Sequence, residues 1–314
     1  MAQRDICELA TLKAGEAPER LRVDYYFDFD KHPFRHRDLL QAPGCNSVVS
    51  VLDHIGAYAR KWLEGTIETR RAEWELACLT EADYPGRSSG HFSVLLEEDA
   101  EFEPGFIQGS GDPEQTFTLF VSRGAHITGA NIFLEDGDIY IGEETTVEPS
   151  AGIKGPAVIG DRNDIRQGAY LRGEVIVGDG GTFRGELKNV VMMDDVEFPH
   201  PCYVGDSLCG YHTHFGNQAT SANLGIYAGV AGKENVRIEL DGRLYDLGRA
   251  KIGIVLGDYS QVGCNSVSDP GTFLAPWTIV YQLSRLNKGF YGPHELVKNK
   301  PIEHGVIERG PLRR

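Results

Sequence analysis

The feature that most restricts this 314-residue chain is a run of aliphatic or aromatic residues at six-residue intervals: Ile141, Val147, Ile153, Ile159, Ile165, Leu171, Val177 and Phe183. Ile127, Phe133 and Ile139 open the series two residues out of step. Cys209, Phe215 and Ser221 resume it, and Leu256 and Val262 resume it again. A six-residue period is neither the 2 of a strand nor the 3.6 of a helix. It describes coils of three short strands, each sending one apolar side chain inward at the same height. Gly-Asp pairs directly after the aliphatic, as at Gly160-Asp161, Gly178-Asp179 and Gly257-Asp258, supply corners. Thirty-eight glycines, well above the ~7% of ordinary domains, suit a chain of many tight corners.

Around that scaffold the chain divides into residues 1–90, an α-rich N-terminal module, residues 91–284, a β-helix with an excursion over 225–251, and a C-terminal extension, 285–314, rich in prolines and glycines. In the first part Leu21–Asp30 alternates as a strand would, and Asp38–Gln41 reads as one helical turn. Apolar residues from Ser47 to Leu63 recur every three or four positions, which predicts an amphipathic helix. A second helix is expected over residues 68–79. Phe92–Leu96 and Thr116–Val121 read as strands leading into the repeat. The excursion contains a hairpin, Asn235–Asp246, with Asp241-Gly242 at its turn.

Net charge is -15, and no basic patch interrupts it, which argues against a nucleic-acid partner. No apolar run reaches the ~20 residues of a membrane span, and the first residues lack the apolar stretch of a signal peptide. No GxGxxG or GxxxxGK[ST] loop is present to grip a nucleotide. The six cysteines form no CxxC pair and no zinc-spaced cluster with histidine. They are expected to stay reduced in a cytoplasmic protein, without a membrane partner and without a metal.

One stretch concentrates chemistry: His200-Pro201-Cys202-Tyr203-Val204-Gly205-Asp206, then Phe215-Gly216-Asn217 and Ser221-Ala222-Asn223-Leu224. His200 sits between two prolines, which hold the backbone extended and suit a rigidly mounted base. An imidazole titrating near neutrality is suited to general-base work at physiological pH. His212 and His214 alternate around Thr213 and are candidates for orienting a group or contacting a substrate. Lys233, Arg249 and Lys251 are candidate phosphate contacts. Arg166 and Arg184, eighteen residues apart, fall at equivalent positions of consecutive coils and could meet an anion together.

The repeat, together with His200–Asp206, Phe215-Gly216-Asn217 and Ala222-Asn223-Leu224, resembles the left-handed β-helix acyltransferases. More narrowly, it is similar to the acetyltransferase half of bifunctional sugar-1-phosphate nucleotidyltransferase/acetyltransferases of the archaeal type. Arg249-Ala-Lys251-Ile-Gly253 running into Leu256-Gly-Asp258 carries that narrower likeness. The resemblance covers roughly residues 120–282. It implies a mainly β protein, a left-handed parallel β-helix with a small N-terminal mixed or helical module. It also implies transfer of an acetyl group from acetyl-CoA to an amino sugar, glucosamine-1-phosphate or galactosamine-1-phosphate. His200 would then be the general base, and Tyr203 and Asn223 would be substrate contacts. Acetyl-CoA would lie along the groove near Gly216 and Cys264, in a homotrimer with sites between adjacent β-helices.

Two departures from that family are visible. Leu224–Gly232 is neutral where relatives carry basic residues, leaving Lys233 nearest to those positions. The Gly-rich, arginine-bearing loop of the nucleotidyltransferase half is absent from these residues. Two other readings stay open beside the enzyme: a catalytically silent binding or regulatory protein on the same scaffold, and a carbonic-anhydrase-like β-helix holding zinc with histidines of two subunits.

Overall fold

A computed structural model describes residues 6–13, 15–299 and 307–311. It is mainly β, a left-handed parallel β-helix with a small mixed module of short helices. The chain forms two compact units, one of residues 55–201 and one of the residues up to His54 together with those from Cys202 onward.

In the unit of residues 55–201 the six-residue series is the core. All eight members from Ile141 to Phe183 are fully buried. The ladder aligns them coil on coil, with Ile141 opposite Ile159 and Ile159 opposite Val177. Val147, Ile165 and Phe183 form a second column, and Ile153, Leu171 and Leu187 a third. Each side chain therefore packs against its equivalents one coil away, with the parallel hydrogen bonds holding the spacing.

The corners explain the Gly-Asp pairs. Asp161 Oδ1 accepts the backbone N–H of Glu143 at 2.9 Å, Asp179 Oδ1 that of Asp161 at 2.8 Å, and Asp194 Oδ1 that of Asp179 at 2.9 Å. Each carboxylate thus caps an amide of the preceding coil that the strands leave unpaired. The preceding glycine is required for closeness. A Cβ on Gly142 would collide with the Gly160 carbonyl, and one on Gly160 with the Asp179 carboxylate. Deeper in, Thr145 Oγ1 donates to the Gly160 carbonyl at 2.8 Å and Asn163 Nδ2 to that of Gly178 at 2.8 Å.

Differences from the sequence reading cluster at the start of this unit. One helix, Ile55–Glu73, replaces the two expected over 47–63 and 68–79, preceded by a 3₁₀ turn at Ser50–Asp53. Ile55, Ala59, Leu63 and Ile67 form an uninterrupted four-residue stripe, all buried, so nothing breaks the helix at residue 64. Residues 77–80 are a strand instead, paired antiparallel with Phe92–Leu96. That pairing overrides local helical preference. Phe133 does not hold the inward position; Ile132 does, opposite Ile153 and Ile107. The step from Ile127 to Ile132 takes five residues and the step from Ile132 to Ile141 takes nine. This coil therefore runs 20 residues from Val121 to Ile141 against 18 from Ile141 to Ile159, which is the two-residue shift in the repeat.

The other unit repeats the plan. Cys209 lies opposite Leu256 and Leu256 opposite Leu274. Phe215, Val262 and Val280 form the next column, and Ser221, Ser268 and Leu286 the third. Coil partners such as Ser207 and Ile254 are 47 residues apart, against 18 between Ser260 and Thr278, so the excursion inserts 29 extra residues into one coil. Its hairpin pairs Arg237–Leu240 with Arg243–Asp246 and takes Ile6–Glu8 as a third, parallel strand. Coiling continues beyond Arg285 through Gly289–Tyr291 and Glu295–Asn299, where an irregular extension was expected. Leu21–Asp30 is not a strand but two 3₁₀ turns, Glu19–Leu21 and Val23–Tyr25. Its buried side chains, Leu21, Tyr26, Phe27 and Phe29, do not alternate, so no single sheet face would bury them.

Two stability measurements follow from this packing. Ile165→Ala opens a void in the middle of a column and should lower stability by about 2–5 kcal/mol in urea unfolding; a loss under 1 kcal/mol would mean that the column is not the core. Burial pushes the Asp138 carboxyl up, with the Thr118 N–H (2.7 Å) and Arg71 pulling it down. Its folded pKa lies above the unfolded value of ~3.9, so its contribution is full below that value and is lost as pH rises through the folded pKa. Asp138→Asn keeps an oxygen for Thr118 and cannot ionise. Relative to wild type it should therefore gain stability between about pH 4 and pH 8, and an unchanged difference across that range would contradict the shift.

Candidate functional site

The chemistry-bearing stretch lies on the strand Glu197–Cys209, within which the division between the units falls. His200 is exposed on it, in the unit of residues 55–201. In the other unit the strand pairs Tyr203 with Thr220 and Val204 with Ser221.

Beyond Tyr203 the strand bends. Asp206 adopts φ 48°, a left-handed conformation unusual for a side chain other than glycine. Gly205 explains the glycine of the motif: a Cβ there would lie 2.6 Å from the Tyr203 hydroxyl and 2.8 Å from Asn223 Nδ2. The phenol and the amide thus converge over a bare backbone. Asn223 Nδ2 donates to Asp206 Oδ2 at 2.7 Å, and Arg249 Nη2 donates to Asp206 Oδ1 at 3.0 Å. Ser207 donates to the Gly205 carbonyl and accepts the Ile254 N–H, fixing the bend from the next coil.

The excursion builds the other side. Its outgoing and returning ends are bridged at Leu224 and Lys251, and the Ile252 N–H donates to the Asn223 carbonyl at 3.0 Å. The returning end delivers Arg249. Its guanidinium binds Asp206, Asp53 Oδ1 at 3.0 Å and the Lys251 carbonyl at 2.5 Å. The Asp206 side chain is 8% exposed and that of Arg249 14%, so the pair is largely desolvated, whereas Asp53 is open at 63%. Arg249, read as a phosphate contact from the sequence, therefore spends its donors on protein oxygens. Asp206, part of the motif without an assigned role, is the hub between asparagine and arginine. No sequence signal tied Asp53 to it, because the two are far apart in the chain.

Gly216 and Cys264 also come together. A Cβ on Gly216 would lie 2.6 Å from the Cys264 nitrogen and 2.9 Å from its sulfur. The Cys202 thiol donates to the Gly216 carbonyl at 3.1 Å, and burial pushes that thiol's pKa up. Cys202 is buried, whereas Cys264 is exposed.

His212 and His214 do not share a strand face. His212 occupies a left-handed corner at φ 52°, and His214 begins the strand after it. The equivalent corners of later coils hold Tyr259, Trp277 and His294, also left-handed. Tyr259 stacks on Trp277 at 4.1 Å, and the His212 ring lies 5.7 Å from that of Tyr259. The ladder extends to His32, stacked on Tyr211 at 4.0 Å and hydrogen-bonded to the Tyr259 hydroxyl at 3.2 Å. Sequence reading missed this series because its members differ in type.

Lys233 is exposed beyond the short helix Ala228–Ala231, and Lys251 is half-buried beside the excursion's bridge. Arg166 and Arg184 do fall on adjacent coils of the first-described unit, but Arg166 is paired with Asp164 at 2.7 Å and Arg184 donates to the Gln167 carbonyl. Among the described residues no group of three or more His, Cys, Asp or Glu side chains is placed to hold a metal ion, and no helix is long and apolar enough to cross a membrane.

No protein-family model matches the chain. A curated relative, the bifunctional sugar-1-phosphate nucleotidylyltransferase/acetyltransferase of Sulfurisphaera tokodaii, is 28% identical over 103 residues, 33% of this chain and 24% of that protein. The chain thus matches about a quarter of the length of that relative. Among solved structures, a UDP-N-acetylglucosamine acyltransferase from Campylobacter jejuni is similar at TM-score 0.37 and 15% identity, over 66% of this chain and 70% of that one. An N-acyltransferase from Bacillus cereus, solved with dTDP and coenzyme A, is similar at TM-score 0.21 and 9% identity, over 79% and 89%.

Removing the arginine tests the hub. Arg249→Met strands the Asp206 carboxylate in a desolvated position and should cost about 3 kcal/mol in urea unfolding. Adding Asp206→Asn to that variant should recover part of the loss. Additive losses would show that the two side chains are not coupled.

Proposed function

We propose that the protein is an acyl-CoA-dependent N-acetyltransferase acting on an amino sugar, with glucosamine-1-phosphate or galactosamine-1-phosphate as substrate. The observation that carries this reading is the convergence of the Tyr203 hydroxyl and the Asn223 amide over Gly205, with Asn223 held by Asp206. A phenol and a primary amide held side by side suit the ring hydroxyls of a sugar, since each offers a donor and an acceptor. The sequence match to a sugar-1-phosphate nucleotidylyltransferase/acetyltransferase supports the same substrate class.

In this reading His200 takes the proton from the sugar amine as nitrogen attacks the thioester carbonyl. The carbonyl oxygen becomes an oxyanion, for which a backbone N–H of a glycine-rich corner is the donor. The C–S bond then breaks, and the leaving thiolate of coenzyme A takes the proton from His200. Gly216 and the exposed Cys264, packed against each other on successive coils, line the path for acetyl-CoA. With Arg249 committed to carboxylates, the sugar phosphate is left to Lys251 and Lys233. Arg166, Arg184, His212 and His214 are secondary substrate contacts, and the assembly is a homotrimer with the active site completed by a neighbouring chain.

Incubation with acetyl-CoA and either sugar phosphate should release free thiol, and His200→Ala should lower the rate about 10²–10⁴-fold, the contribution of a positioned base. An unchanged rate in that variant removes His200 from the mechanism. No thiol release with any amino sugar favours the silent binding protein.

A further inference from the structure

The unit of residues 55–201 contains a cleft of about 510 Å³ that the proposed reaction does not use. Such a volume lies within the range of small-molecule sites. Its floor is a column of cations on successive coils. Lys154 is in register with Arg172, and the register of Leu171 with Leu187 puts Lys188 beside Arg172 on the next coil. Like charges stacked one strand spacing apart, ~4.8 Å, repel each other.

The protein compensates two of the three. Lys154 is bound by Asp136 at 2.7 Å and by Glu135 at 3.7 Å, and Arg172 by Glu186. Lys188 is half-buried and has no ion pair or hydrogen bond among the described residues. It supplies the cleft with one positive charge that no protein carboxylate answers.

Beside this column runs a different one. Gly152 is in register with Tyr170, and a Cβ on Gly152 would lie 3.1 Å from the Tyr170 ring. The glycine lets the ring lie down along the coil, where it stays 39% exposed, with the Arg172 guanidinium 6.0 Å from its centroid. An exposed aromatic face next to charged groups is an apolar platform with a polar border. Glu174 and Arg60, 4.0 Å apart, also line the cleft.

These features restrict the ligand. One unanswered cation asks for one anionic group. The carboxylates Glu135, Asp136 and Glu174 would repel a polyanion but accept hydrogen bonds from hydroxyls. The Tyr170 face suits the C–H face of a sugar ring. We infer that this cleft is a second ligand site, which binds a phosphorylated monosaccharide with its phosphate on Lys188 and Arg172, its ring against Tyr170 and its hydroxyls on the carboxylates.

Calorimetric titration of the full chain with glucose-1-phosphate tests this, since that compound has no amine to acetylate. Lys188→Ala should weaken binding about tenfold, as expected for loss of a hydrogen bond to a charged group. Tyr170→Ala should weaken it severalfold, while Asn223→Ala should leave this site intact. Glucose and inorganic phosphate, each carrying half of the recognition, should both bind more weakly than the sugar phosphate. Inorganic phosphate binding as tightly as the sugar phosphate reduces the cleft to an anion site and overturns the assignment. Absence of binding to the wild type overturns it outright. Binding unaffected by Lys188→Ala and lost in Asn223→Ala also overturns it, and places the ligand at the Tyr203–Asn223 cluster, leaving the proposed activity standing.

Discussion

Each coil of this protein is stable only through the coil beside it. A triangular turn of three short strands has one inward side chain per strand and no closed core of its own. The columns Ile141–Ile159–Val177 and Val147–Ile165–Phe183 supply the apolar contact, and the parallel ladder fixes its spacing. Corners are the weak point of such stacking, because the backbone leaves the ladder there. The carboxylates of Asp161, Asp179 and Asp194, each taking an amide of the coil before, close that gap. Asp258 does the same in the other unit, accepting the Tyr211 and Asp28 amides, and its burial holds the carboxyl above its ordinary pKa.

A scaffold this regular positions function by departing from its own rule. The Asp206 bend and the 29 residues inserted into one coil occur together, and Arg249 from the returning arm ties them. Residues that the chain separates widely, Asp53, Asp206 and Arg249, thereby share one network, desolvated at Asp206 and Arg249 and open to solvent at Asp53. In the unit of residues 55–201 the departure is subtler. The ladder continues although the step from Leu171 to Leu187 takes 16 residues against 18 from Ile153 to Leu171. The proposed second site is built from what stands outward on it: lysine, arginine and tyrosine, with glycine making room for the ring.

The sequence by itself determined the β-helix, because inward positions recur at fixed spacing and each must be apolar whatever the rest of the chain does. Gly160-Asp161 and Gly178-Asp179 were legible as corners for the same reason, and the Asp241-Gly242 hairpin followed from local turn chemistry. Tyr203 and Asn223 were legible as a motif. What their spacing did not contain was Asp206 as the hub between Asn223 and Arg249, the capture of Arg249 by carboxylates, or the meeting of Gly216 with Cys264. Only the tertiary structure decided these, since they depend on where a long excursion returns and on which coil lies against which. The same holds for residues 77–80, where a neighbouring strand outweighs helical preference, and for Ile132, which takes the inward place because the step from Ile127 is five residues rather than six. Periodic burial is a local rule written into every coil, whereas charge partners are chosen by whatever the fold brings within reach.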